Sequence, residues 1–167
     1  MTRIYTFATS GILFLSALFP VAATAADSGS LWSANIYGLA YHFERAEAKR
    51  IGASNEVNPG LGIRRELYTQ GAHHIYGEAG VYYDSGRRWA KTADITWQYE
   101  LIGGLRGGLG AFFFYTPTYN RSKAFVAPLP VMSYDFGPAV LTVAYAPKYQ
   151  DKNVINTLGA YVSWKFP

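Results

Sequence analysis

Apolar and polar residues alternate with a two-residue period in eight stretches of the chain. They lie at about 31–44, 58–69, 74–84, 92–101, 105–116, 128–136, 139–147 and 156–166. This period sends successive side chains to opposite faces of a strand. In the fourth stretch Ala93, Ile95, Trp97, Tyr99 and Leu101 interleave with Thr92, Asp94, Thr96, Gln98 and Glu100. In the last, Leu158, Ala160, Val162, Trp164 and Phe166 interleave with Gly159, Tyr161, Ser163 and Lys165. The connections near 70–73, 102–104 and 137–138 are short and hold Gly or Pro. Those near 45–57, 85–91, 117–127 and 148–155 are longer. Strands of this length cross a bilayer when tilted, and short turns at one end with long loops at the other mark a membrane barrel. The expected fold is all-β, an eight-stranded antiparallel transmembrane barrel with its apolar set toward lipid and its polar set toward the lumen. A soluble lipocalin-like barrel would hold its apolar set inside; aromatics gathered near the strand ends of one face favour the membrane.

The first residues change where such a barrel is placed. Arg3, the apolar run Ile12–Phe19 and the small-residue site Ala23-Thr24-Ala25 read as a secretory signal peptide. The expected division is therefore 1–25 signal peptide and 26–167 barrel, delivered to a Gram-negative outer membrane. Aromatics make up 17% of the chain against 16% charged residues, a balance suited to aromatic girdles rather than a hydrated surface. The chain has no cysteine, which excludes disulfides, thiolate metal sites and a cysteine nucleophile. No metal-ligand spacing is present, and no cofactor is expected. A chain embedded in that membrane is not expected to meet nucleic acid, and the closed barrel is expected to act as a monomer.

Carrying the strand parity through all eight stretches divides the lumen. One half collects Arg64, Glu66, Glu78, Glu100, Arg106, Asp135 and Lys165, which must pair to survive burial. The other collects Gly38, Ala40, Gly60, Gly62, Gly80, Gly110, Phe112, Phe114, Leu129, Val131, Ala144 and Ala146. Small barrels fill their interior with side chains. A half lined by glycine, alanine and phenylalanine predicts an apolar slot fit for one hydrocarbon chain, with Asp94 and Thr96 near its floor. Glycines placed only to relieve crowding would leave no slot.

Candidate chemistry sits at the rim. His42 ends the first strand facing inward, and Asp84 ends the third, also inward, with Ser85 starting the loop. A histidine can draw a proton from a hydroxyl while a carboxylate orients the imidazole. Asp-Ser-Gly is also an ordinary turn. His73 and His74 read as turn residues at the opposite end. The long loops carry an excess of Arg and Lys, suited to phosphorylated lipid.

These segments resemble the outer-membrane lipid A palmitoyltransferases. YHFERAEAKR is similar to the family segment in which the catalytic histidine ends the first strand, matching His42. GVYYDSGRRW is similar to the segment with adjacent catalytic Asp and Ser, matching Asp84 and Ser85. NPGLG, with Pro59, and the late hairpin FGPAVLTVAYAP, ending at Pro147, resemble segments where proline weakens strand pairing and opens a lateral gate. APLPV is close to the family form, and the arginine before it matches Arg121.

The resemblance implies transfer of a palmitate-like saturated chain from a phospholipid to lipid A. Gly80, Gly110, Phe112 and Phe114 would line the acyl pocket, Thr96 would stand at its floor, and Arg121 and Tyr149 would meet substrate at the loops. It leaves open whether Ser85 is a nucleophile or positions the ester. The departures are the absence of the enteric members' helix before the first strand, a larger floor residue, a shorter sixth strand and a missing second gate proline. The alternatives are a non-enzymatic structural barrel and a lipid A deacylase or phospholipase.

Overall fold

The computed structural model describes residues 31–149 and 152–167; the expected signal peptide lies outside the described residues. Eight strands form a closed antiparallel barrel: β1 (Trp32–His42), β2 (Val57–Gln70), β3 (His73–Tyr83), β4 (Trp89–Ile102), β5 (Leu105–Tyr115), β6 (Phe125–Asp135), β7 (Ala139–Ala146) and β8 (Thr157–Lys165). Each strand pairs with its sequence neighbours, and β8 returns to β1. The expected architecture is the observed one. The boundaries differ where aromatic residues extend a strand beyond its clean alternation. β4 begins at Trp89 rather than near 92, and β6 begins at Phe125 rather than near 128. A six-residue helix, α1 (Arg45–Arg50), occupies the first long connection, where none was expected. The turn between β4 and β5 is only Gly103-Gly104, both at positive φ, as a two-residue hairpin matched to strand twist requires.

The two faces separate as the alternation predicts. Along β4, Thr92, Asp94, Thr96 and Gln98 are buried, while Ile95, Trp97 and Leu101 are exposed. Exposed Leu, Ile, Val and aromatic side chains recur on every strand but β7. Soluble monomers rarely expose contiguous apolar patches beyond a few hundred Å². This outer surface therefore fits a bilayer, and the lipocalin-like alternative, which needs its apolar set inside, does not hold.

The interior near the short turns is a polar plug. Arg64 and Glu78 face each other at 3.6 Å with almost no exposure. Glu78 also accepts hydrogen bonds from Asn35 Nδ2 at 2.5 Å and the Tyr161 hydroxyl at 3.1 Å. The Arg64 guanidinium lies 3.6 Å over the Tyr76 ring. Nearer the turns, Asp135 meets Arg106 at 3.2 Å and Lys165 at 2.8 Å. His74 belongs to this plug and is not an ordinary turn residue. It is buried, with Nδ1 2.9 Å from Glu66 and Nε2 3.6 Å from Glu100. Its neighbour His73 stacks outward on Trp97.

Two seams are irregular toward the loop end. The β1–β2 register jumps from Tyr37↔Gly60 to Leu39↔Val57, leaving Pro59 at the break. The β6–β7 register holds only five pairs, from Val131↔Ala144 to Asp135↔Val140. β6 continues to Phe125 with pairing on its β5 side alone. Pro128 and Pro130, which have no N–H, stand in that singly paired part of β6.

Candidate active site

A cavity opens at the loop end of the barrel and ends on the plug. It holds about 990 Å³ of empty space, the open solvent at its mouth included. Its walls include Gly38, Ala40, Phe112, Phe114, Ala144 and Gly159. Phe112, Leu129 and Val131 form a buried apolar cluster against one side, with Phe114 stacked on Phe112 at 5.9 Å between ring centroids.

The slot is narrower than the sequence parity implied, and β1 supplies the reason. Its register shifts between Tyr37 and Leu39 against both neighbouring strands. A bulge of this kind adds one residue and changes the facing parity. Ser33 and Asn35 are therefore buried on the turn side of the bulge, and His42 on the loop side. Tyr37 swings across the lumen into the space left by the glycines. A methyl at Gly80 would come within 2.6 Å of the Tyr37 ring, and one at Gly62 within 2.9 Å of its hydroxyl. A methyl at Gly110 would collide with the Thr96 hydroxyl and the Phe112 ring. Gly80 and Gly110 thus make room for neighbouring side chains and are not among the cavity-lining residues. Thr96 lies below the cavity and donates to Asp94 Oδ1 at 3.0 Å. The floor is made by Tyr37, Glu78, Asp94 and Tyr161.

At the mouth, His42 Nε2 and Ser85 Oγ are 3.0 Å apart, and both residues are buried. The structure brings these two together and holds Asp84 apart from them. Asp84 Oδ1 accepts the N–H groups of Gly86 and Arg88, each at 2.9 Å, while Oδ2 accepts the Thr116 hydroxyl. Asp84 is therefore the organiser of the turn that presents Ser85. The carboxylate beside the imidazole is Glu56, whose Oε1 lies 3.7 Å from His42 Nδ1 and accepts the His42 backbone N–H at 3.2 Å. Arg45 holds the other oxygen of Glu56 at 3.1 Å. The Asn55 N–H donates to the Ser85 carbonyl at 3.0 Å, fastening the first loop to the second. Tyr119 lines the cavity beside them. Burial pushes its phenol up to about 12, the Ser85 hydroxyl opposes this, and the Asp84 charge adds to it, so the ring stays neutral at ordinary pH.

The other predicted positions stand outside this cluster. Arg121 is exposed in a 3₁₀ turn at Asn120–Ser122, with φ of 53°. Tyr149 is exposed in the last loop, with the Lys152 ammonium 5.3 Å over its ring. Pro147 follows the end of β7. The first and last loops are tied by Glu44, which accepts the Asn156 N–H at 2.8 Å and its side-chain amide at 2.5 Å. Glu56 and Tyr119 lie in loops and had no signal in the strand pattern, whereas Tyr37 shares its parity with the buried Ser33 and Asn35 and was missed because the parity was carried back through the bulge from His42. The chain matches no protein-family model and no curated protein.

Proposed function

We propose that this chain is an acyltransferase of the outer leaflet of the Gram-negative outer membrane, moving a saturated acyl chain from a phospholipid to lipid A. The observation that carries the reading is the buried Ser85–His42 pair set at the mouth of a mainly apolar cavity inside the barrel. A hydroxyl next to an imidazole serves acyl transfer. An apolar shaft with one open end takes one hydrocarbon chain and leaves its ester at the mouth. The interrupted seams beside Pro59 and at Pro128 and Pro130 give lipids a way in from the bilayer plane. Pro147 flanks the second of these. Arg121 and the other basic loop residues would face the phosphates of the acceptor, with Tyr149 beside them.

The test is mass spectrometry of lipid A from a palmitoylation-deficient Gram-negative host expressing the full chain, beside its His42→Ala variant. The expected result is lipid A heavier by one acyl chain, with the increase absent in the variant. Free fatty acid without heavier lipid A would make the protein a deacylase or phospholipase. Neither product, with the barrel folded in the outer membrane, would make it a structural barrel.

A further inference from the structure

His42 is 1% exposed and is not among the residues lining the cavity. Ser85 does line it, and Ser85 Oγ is the partner of His42 Nε2. The imidazole therefore reaches an ester in the cavity through the serine. For Nε2 to accept the serine proton, the ring proton must sit on Nδ1. That nitrogen is buried and without a hydrogen bond, and the nearest carboxylate is Glu56 at 3.7 Å. Glu56 is one-third exposed and is held from the solvent side by Arg45. It thus has room to close on the ring, as catalytic hydrogen bonds often do only once substrate is bound.

From this array we infer that Ser85 is a covalent nucleophile, charged by His42, and that Glu56, not Asp84, is the residue that positions the imidazole. The inference rests on the acyl-transfer reading. Ser85 Oγ attacks the donor ester carbonyl as His42 Nε2 takes its proton. The bond from the carbonyl to the glycerol oxygen breaks, and that oxygen leaves with the proton from His42 as a lysophospholipid. An acyl ester on Ser85 remains. The acceptor hydroxyl then attacks the same carbonyl and gives its proton to His42. The bond to Ser85 Oγ breaks, and the serine recovers the proton.

The experiment uses the full chain in mixed micelles with didecanoyl or dipalmitoyl phosphatidylcholine, first without and then with lipid A. Folding is checked by heat-modifiable electrophoretic mobility. Acid-quenched protein should carry one acyl group on the peptide containing Ser85, with a burst of about one lysophospholipid per enzyme before acceptor is added. Ser85→Ala should lose both. Glu56→Gln should lower kcat by about 10²-fold with KM unchanged, and Glu56→Asp should recover part of the loss. Acylated lipid A without adduct or burst, or Ser85→Ala retaining transfer within tenfold, would overturn the covalent route and leave the acyl-transfer reading standing. Wild-type kcat in Glu56→Gln would overturn the role of Glu56. If the folded wild-type barrel releases no lysophospholipid and makes no acylated lipid A, the acyl-transfer reading falls and the covalent route with it.

Discussion

On the proposed acyl-transfer reading, replacing Gly159 by leucine should shorten the acyl chain that reaches lipid A. Asp84 at the mouth, just past the end of β3, stands six residue steps from Glu78 at the floor, and both line the cavity. At about 3.4 Å per residue and a tilt near 40°, that is about 15 Å along the barrel axis. The carboxyl groups of Glu78 and Asp94 line the floor, and allowing about 4 Å for their bulk leaves about 11 Å, room for about nine extended carbons at roughly 1.3 Å each. Gly159 lines the wall two residues nearer the mouth than Tyr161 on β8, about 5 Å higher on the axis. A methyl there meets nothing closer than the Ala144 carbonyl at 4.0 Å, so a side chain can enter without disturbing the wall. Leucine at this point should close off about four carbons of length. A chain four methylenes too long leaves them unburied when its ester reaches Ser85, a loss of up to about 3 kcal/mol, or more than a hundredfold in preference. Lipid A mass spectrometry counts methylenes directly. In Gly159→Leu the added chain should be about four carbons shorter than in the wild type, whose own preference should fall well below sixteen. An unchanged acyl distribution in a folded Gly159→Leu barrel, or a wild type strict for sixteen carbons, would refute the geometry.

The plug and the loops give three further tests. Arg64→Met strands the buried Glu78 carboxylate and should cost about 3–5 kcal/mol in urea unfolding of the refolded barrel, while Arg64→Met combined with Glu78→Gln should regain much of that loss. Gly80→Val drives a side chain into the Tyr37 ring and against the Leu61 carbonyl and should destabilise by about 1–3 kcal/mol in the same assay, with Tyr37→Ala in the same chain relieving the first contact and regaining only part of the loss. The Asn156 backbone N–H, aided by its side-chain amide, holds the Glu44 carboxyl below its usual range. A carboxylate with a depressed folded pKa adds stability that is present above its unfolded value and lost as pH falls through the folded one. Hydrogen exchange at the Asn156 amide should therefore be slow near neutral pH and lose protection as pH drops below the ordinary glutamate range, and Glu44→Gln should flatten that dependence.

How far the sequence reached can be judged from particular residues. β4 reads plainly because its inward Thr92, Asp94, Thr96 and Gln98 are polar and its outward partners are not. The charged half of the plug followed from the same parity, and that parity also reached His74, two residues before Tyr76 and four before Glu78. The His-His pair beside a turn masked it. The β1 bulge did leave a mark, a switch from inward Ser33 and Asn35 between outward Trp32 and Ile36 to inward His42 after outward Leu39 and Tyr41, but a single parity carried through the strand passed over it. Crediting Gly80 and Gly110 with empty space failed for a related reason: a glycine shows where a side chain is missing, not which neighbour takes the room. Glu56 was beyond reach because it lies after α1, in a connection whose path is set by long-range contacts such as the Asn55 bond to Ser85. The Asp84 turn was legible, but its two readings separated only when the carboxylate oxygens were found occupied by Gly86, Arg88 and Thr116.

The short β6–β7 ladder has a thermal consequence. In hydrocarbon an unsatisfied backbone N–H costs several kcal/mol, so a slit made by breaking strand pairs would open rarely and more often on heating. Pro128 and Pro130 remove two donors from the part of β6 where pairing with β7 has stopped. If lipid enters here as proposed, an opening written into the covalent chain needs no melting. Passage through it would carry little of the enthalpy of hydrogen-bond rupture, and its rate on cooling would follow the fluidity of the surrounding lipid rather than the breathing of the wall.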